Sequence, residues 1–349
     1  MEPTALSFDN DTATQTISSP IGEILLEATN IRRERTGIHA RICIYCGENL
    51  TFDNFNLDRR EDRARLVKDA YGKESELIQT AFPQPDFGRA VDVFCATIFR
   101  DWESKRFQIE TYSGDEPIEP IRYALDPYVQ ETGGTILFAP PGSGKSAIAQ
   151  VQAICIANGI TGDLWRAVRQ LPVLYVNLER PGALVRRRDA LLMAGLGRRG
   201  PSGVFYLHAR GSGLDAVLRK VKEFTRTNPQ GLVIWDSISR AGLGSLVEDT
   251  TANAFTDRAN SGSQTWYGIG HTSRASDEHL YGSVHFDAGE DIGVLMRSEQ
   301  RGQTLGICLT IQKANEGQHG PATATYYAID FTENAWTFRK ARRSEFPEL

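Results

Sequence analysis

The 349-residue chain has no run of about 18 apolar residues, so nothing in the sequence is expected to span a membrane. It has few cysteines: Cys43, Cys46, Cys95, Cys155 and Cys308 form an odd, scattered set. That argues against a disulfide framework and points to a reducing compartment. Basic residues are not in excess, and the formal net charge is -5. A protein that coats nucleic acid nonspecifically is normally basic, so any such contact here has to use a local patch. The start, Met1-Glu2-Pro3-Thr4-Ala5-Leu6, lacks both a positive segment and an apolar one, so no secretory signal is expected and the cytoplasm is the expected compartment. There is no internal repeat and no long low-complexity tract. What is present is 40% hydrophobic and 24% charged residues, enough for a buried core in one large domain or two ordinary ones.

Residues 1–18 are polar and are expected to be a disordered tail. From Ile38 to Tyr45 apolar and polar residues alternate, Gly47-Glu48-Asn49 can turn, and Leu50 to Phe55 alternates again, which reads as a β-hairpin. Asp58–Tyr71 and residues 88–106 have apolar residues at helical spacing. Around Ser113-Gly114-Asp115-Glu116-Pro117 the chain turns polar and rich in breakers, and a domain boundary is placed there. Residues 19–115 are thus expected to be a small α+β domain of unknown role. After it, apolar runs alternate with helical stretches: Thr135–Ala139, Val173–Leu178, Val204–His208, Leu232–Trp235, Tyr267–Gly270, Ile292–Met296 and Leu305–Ile311. That pattern implies an α/β domain over 116–338 with a mostly parallel, twisted sheet. Residues 339–349, with the basic cluster Arg339-Lys340-Ala341-Arg342-Arg343, are expected to be a solvated C-terminal tail.

One stretch carries most of the chemistry. Ala139-Pro140-Pro141-Gly142-Ser143-Gly144-Lys145-Ser146, followed by Ala147, lies between an apolar run and a helical pattern. It matches the end of G-x-x-x-x-G-K-[ST], with Ala139 in place of the first glycine. In such a loop, backbone N–H groups and a helix N-terminus form an anion site, and Lys145 supplies positive charge to the β- and γ-phosphates. The Ser146 hydroxyl is the expected Mg²⁺ ligand. The plain alternative is a glycine-rich turn without a ligand. Gly231-Leu232-Val233-Ile234-Trp235-Asp236 ends an apolar run on a carboxylate suited to hold Mg²⁺ through water; the alternative is a helix cap. Val173-Leu174-Tyr175-Val176-Asn177-Leu178-Glu179 ends on another, suited to orient or deprotonate a water; the alternative is an exposed strand-end charge.

Together these stretches resemble the RecA-like P-loop ATPases, and within them the hexameric replicative-helicase and plasmid RepA-like (AAA_25-type) branch. The resemblance covers roughly residues 117–335 and implies a RecA-like core. It rests on the phosphate loop, on Val173–Arg180 with Leu184-Val185-Arg186-Arg187-Arg188, on Leu232–Arg240, and on Gly270-His271-Thr272-Ser273-Arg274. Tyr281-Gly282-Ser283 and Asp291 are similar to the segment that follows in that branch. The likeness implies that Glu179 is the catalytic glutamate and that His271, otherwise an unremarkable histidine after a strand, senses the γ-phosphate. A Lys-x-Arg pair on a late strand reaches a neighbour's γ-phosphate in that branch. Here Lys313 is present but Asn315 stands in the arginine position, which implies slow hydrolysis or another finger, with Arg297 and Arg301 as candidates.

Other features are weaker. Cys43-Ile44-Tyr45-Cys46 has no second Cys or His pair at zinc spacing. Arg186, Arg187 and Arg188 read equally as phosphate contacts or as a solvated face. Trp235, Trp266 and Tyr267 read as core. The expected cofactors are ATP and Mg²⁺, and the expected reaction is Mg²⁺-dependent ATP hydrolysis. Expected partners are ATP/ADP, single-stranded DNA as a candidate, and further copies of the chain in a homo-oligomer of hexameric type. The function implied is a helicase-like motor or a replication or recombination accessory of a phage or mobile element. The rivals are an ATP-driven switch whose N-terminal domain binds a protein, and a nucleotide-binding scaffold with little turnover.

Overall fold

The computed structural model describes the chain except residues 1, 10, 20–21, 47–48, 73–78, 80–81, 107–108, 110, 112, 116, 118, 163, 273–277 and 316–323. Its contacts divide it into two compact units, Met1–Pro117 and Ile118–Leu349.

The first unit is an antiparallel sheet with two helices. Its strands are β1 (Glu2–Pro3), β2 (Ser7–Asp9), β3 (Thr12–Ser19), β4 (Gly22–Glu34), β5 (Gly37–Cys46) and β6 (Asn49–Asn56), in the order β1-β3-β4-β5-β6 with β2 also on β3. Strand alternation sends Ile24, Leu26 and Ala28 of β4 and Ala40, Ile42 and Ile44 of β5 to one face. Helices α1 (Arg60–Gly72) and α2 (Gln84–Arg106) bring Leu66, Val67, Phe87, Val91, Phe94 and Trp102 into the same core. The hairpin read from residues 38–55 is β5 and β6, although Gly47 and Glu48 lie outside the described residues.

Residues 1–18 correct the expected disordered tail. They contain β1, β2 and most of β3, and Ala13 and Ile17 are buried. In Thr12–Ser19 the alternation puts Gln15 on the same face as Ala13 and Ile17, so only two apolar residues mark the inward face. Cys43 and Cys46 are buried free thiols.

The second unit is built on a nine-stranded sheet. In chain order come β7 (Tyr123–Leu125) and β8 (Val129–Gln130), which form a separate pair; then β9 (Gly134–Ala139), α3 (Lys145–Asn158), β10 (Val173–Asn177), α4 (Gly182–Gly195), β11 (Val204–His208), α5 (Leu214–Thr227) and β12 (Leu232–Asp236). After these come α6 (Asp249–Gly262), β13 (Thr265–His271), α7 (His285–Gly289), β14 (Ile292–Arg301), β15 (Thr304–Ala314), β16 (Ala324–Phe331) and β17 (Trp336–Lys340). The sheet order is β11-β10-β12-β13-β9-β14-β15-β16-β17. The six strands from β11 to β14 are parallel, and β15, β16 and β17 follow antiparallel.

The central strands β9, β10 and β12 are buried on both faces and mainly apolar, as parallel sheets require, whereas the edge strand β11 is partly exposed and β14 turns polar after Met296. Leu137, Ile234 and Tyr175 face α3; Phe138, Val233 and Val176 face the core formed with α5 and α6. Helix α3 is buried on all sides, which suits its apolar sequence. Of its two inward glutamines, Gln152 accepts from the Tyr267 hydroxyl at 2.8 Å, and Gln150 donates to the Val185 carbonyl at 3.1 Å while its buried Oε1 has no partner among the described residues. The crossover leaving β9 uses the α3 face, whereas α5 and α6 lie on the other. Ligands of open α/β sheets bind at the carboxyl ends of strands where the winding reverses.

The expected C-terminal tail over 339–349 is also corrected. Arg339 and Lys340 belong to β17, Arg343–Glu345 form a 3-10 turn, and the Phe346 ring is buried against Gly306. Arg339 bonds Asp330 at 3.2 Å and Glu345 at 2.8 Å, so part of the basic cluster is neutralised within the unit. Among the described residues no helix is long and apolar enough to cross a membrane.

Gly134 begins β9 because no side chain fits there: a Cβ would stand 2.2 Å from the fully buried Trp266 ring. Gly134→Ala is therefore expected to destabilise the protein by about 1–3 kcal/mol, the usual cost of overpacking. A melting temperature equal to wild type would show that Trp266 can yield.

Candidate functional site

The loop leaving β9 turns directly into α3. Gly142 (φ 81°) and Gly144 (φ 93°) hold left-handed backbone that other residues resist. No atom lies within 4 Å of where a Cβ on Gly142 would stand, so the loop is open on that side. Gly144 is the N-cap of α3 and offers no side-chain cap. The positive end of the helix and its first-turn N–H groups therefore face the loop.

Lys145 is only 5% exposed. Its Nζ donates to the carbonyls of Ala139 and Pro140, each at 2.8 Å, and lies 3.1 Å from Nδ1 of His271. Burial pulls its pKa down to about 8, against the upward pull of Glu179 and Asp236. His271 is level with Ala139 in the ladder between β13 and β9. Burial, then the Lys145 charge, holds the imidazole below its ordinary value, so it is neutral at pH 7 and its Nδ1 can accept from Lys145.

The two acids come from adjacent strands, with Asn177 level with Asp236. Asp236 accepts from the Ser146 hydroxyl at 3.1 Å and, on its other oxygen, from the Tyr175 hydroxyl at 2.7 Å. Burial raises its pKa, opposed by the Tyr175 hydroxyl, the Arg188 charge and the Ser146 hydroxyl. Glu179 lies just past the end of β10 and accepts from the Ser237 hydroxyl at 3.1 Å, with Arg180 Nε 3.7 Å away. The Asp236–Ser237 peptide is cis.

The loop 139–147, Lys145, Ser146, Asp236, Glu179 and His271 are thus gathered at one edge of the sheet. Lys313 is not. It pairs with Gly293, which is level with Ile136 near the start of β9, while the loop leaves the strand's other end. Its Nζ caps the end of α7 through the carbonyls of Asp287 and Glu290. Asn315 bonds Asp291 at 3.1 Å. Arg297 is held 3.4 Å from Glu278, and Arg301 pairs with Glu299. Ser273, Arg274, Glu316 and Gly317 lie outside the described residues.

Three contributors escaped the sequence reading. In the sequence Tyr175 and Asn177 stand only as members of the apolar run Val173–Leu178, and Ser237 only as part of the stretch Leu232–Arg240. The signal available was a polar Asn at the end of an apolar run, two residues before an acid. Arg188, left open between phosphate and solvent, pulls the pKa of Asp236 and of Tyr175 downward through its charge.

A phosphate loop between strand and helix, with a carboxylate at the end of a nearby parallel strand, defines a RecA-like P-loop ATPase domain. Residues 102–271, just under half of the chain, match the family described as the AAA domain. Of the solved structures, a KaiC-like protein from the hyperthermophilic archaeon Pyrococcus horikoshii OT3 aligns at 15% identity with a TM-score of 0.43, covering 63% of this chain and 100% of that one. A comparison with curated proteins returns no significant match.

The depressed Lys145 makes a testable contribution to stability. Between about 8 and the ordinary 10.5, the unfolded chain holds a proton that the fold has lost. Stability from this group therefore rises with pH across that window. The buried thiols of Cys95 and Cys155, raised to about 12 and about 11, act in the opposite sense. The readout is accordingly the difference in unfolding free energy between wild type and Lys145→Met, by denaturant titration of nucleotide-free protein. That difference should move in favour of wild type as pH rises from about 8 toward 10.5; a flat difference would contradict the burial of a charged ammonium.

Proposed function

We propose that the chain hydrolyses ATP with Mg²⁺ at this edge of the sheet. The observation that carries the reading is a buried ammonium whose hydrogen-bond partners are two carbonyls and a neutral imidazole, set at a helix N-terminus beside an open glycine loop. Such a site is built for an anion that brings its own charge. In this reading the backbone of 139–147 and Lys145 hold the phosphates, and Ser146 and Asp236 hold the metal. Their existing hydrogen bond places the hydroxyl and the carboxylate 3.1 Å apart, a spacing that one ion can bridge. Mg²⁺, when bound, supplies charge neutralisation on the phosphates. Glu179 orients the attacking water and takes up its proton, and His271, beside Lys145, reports the γ-phosphate.

The resemblance supports a nucleic-acid motor or a replication or recombination accessory, with single-stranded DNA as partner and a homo-oligomer sharing its sites. For Lys313 to serve a neighbour it has to leave the α7 carbonyls. One observation favours the second reading, an ATP-driven switch. Residues 1–117 carry 21 acidic and 14 basic side chains, so this unit is a poor match for phosphate backbone and a better one for a protein.

Glu179→Gln should keep ATP binding and lower turnover by about 10² to 10⁴, the range for a lost general base. Wild-type turnover in the variant would reduce Glu179 to a strand-end charge. Under the motor reading, single-stranded DNA should raise the hydrolysis rate. A rate indifferent to DNA, with nucleotide-dependent capture of a protein by residues 1–117, would favour the switch.

A further inference from the structure

Glu179 stands on a turn. β10 ends at Asn177 and α4 begins at Gly182, so the carboxylate rides on a short connection. A group that orients a water has to be held closely, and turns are less exact supports than strands. Two buried polar side chains lock this one. Asn177 is fully buried and uses both ends of its amide on Arg180: its Oδ1 accepts from the Arg180 N–H at 2.9 Å, and its Nδ2 donates to the Arg180 carbonyl at 2.7 Å. Its second amide hydrogen faces Nδ1 of His208 at 3.2 Å. On the other side of Glu179, the Leu178 N–H donates to the Asp236 carbonyl at 2.7 Å. The residues before and after Glu179 are thus both tied to strand ends. Its carboxylate is then aimed by Ser237, 1% exposed, whose hydroxyl lies 3.1 Å from Oε2 and 2.9 Å from the Ser239 hydroxyl.

We propose that Asn177 and Ser237 are positioning residues for the water-orienting carboxylate: Asn177 sets the turn and Ser237 sets the rotamer. The inference rests on the reading of Glu179 given above. Neither side chain touches the reacting atoms; each acts only through Glu179.

The test is a mutant cycle on the full chain, following phosphate release from radiolabelled ATP and binding of a nonhydrolysable analogue by calorimetry. Asn177→Ala and Ser237→Ala should each lower kcat by about 10- to 10²-fold, as misplacement of a reacting group does, with the analogue's Kd unchanged. Asn177→Asp keeps the acceptor for the Arg180 N–H and should recover part of the rate. In a Glu179→Ala background neither alanine substitution should slow turnover further, because nothing remains to be positioned. Equal losses in both backgrounds, or loss of analogue binding in step with kcat, would overturn the proposal and leave a structural role. Should Asn177→Ala not fold, Ser237→Ala and Asn177→Asp carry the same comparison. A Glu179→Ala protein with wild-type turnover would overturn the Glu179 reading and the clamp with it.

Discussion

The buried ammonium of Lys145 is the constraint around which the rest of the ATPase unit is arranged. Removing such a charge from water costs several kcal/mol unless something replaces the lost hydration. Two carbonyls of the phosphate loop do so in part, which fixes the loop's curvature and makes Gly142 and Gly144 necessary. The remaining shortfall appears as the depressed pKa. A phosphate anion removes that shortfall, so the energy withheld in the free protein becomes available to binding.

The fold delivers the partners of that lysine by register alone. His271 is level with the first loop residue, and Asn177 is level with Asp236. The alternation that sends Tyr175 and Asp236 to the α3 face also lets Asp236 accept from both the Tyr175 and Ser146 hydroxyls. Burial raises the carboxyl of Asp236 while it lowers the ammonium of Lys145. The free site therefore disfavours both of its charges. Under the proposed function, nucleotide with a divalent ion would compensate both together, a physical reason for the two to bind as a unit.

Much of this was legible before the structure. The loop 139–147 was readable because its spacing matches the phosphate-loop pattern, and most of the seven apolar runs were readable because strands buried on both faces have to be apolar; β11 was readable although it is partly exposed. Strand β3 was not, since its outward face is Thr and Ser, Gln15 interrupts its inward face, and its apolar period is carried by two residues. The C-terminal segment misled for a related reason: its arginines advertise solvent, while the single Phe346 that anchors it carries no periodicity. Tyr175 and Ser237 were hidden because no local pattern encodes their contacts between the β10 and β12 ends, and Asn177 because its bonds to Arg180 depend on the shape of the turn. Lys313 was readable as a residue but not as a helix cap, which depends on where α7 ends.

The central claim is that the buried ammonium is an anion site, and calorimetric titration of ATP into wild type and Lys145→Ala tests it most directly. The account predicts saturable binding to wild type and a loss in the variant of about 1.5–3 kcal/mol, the worth of a hydrogen bond to a charged group. Equal affinity in the two proteins would contradict it.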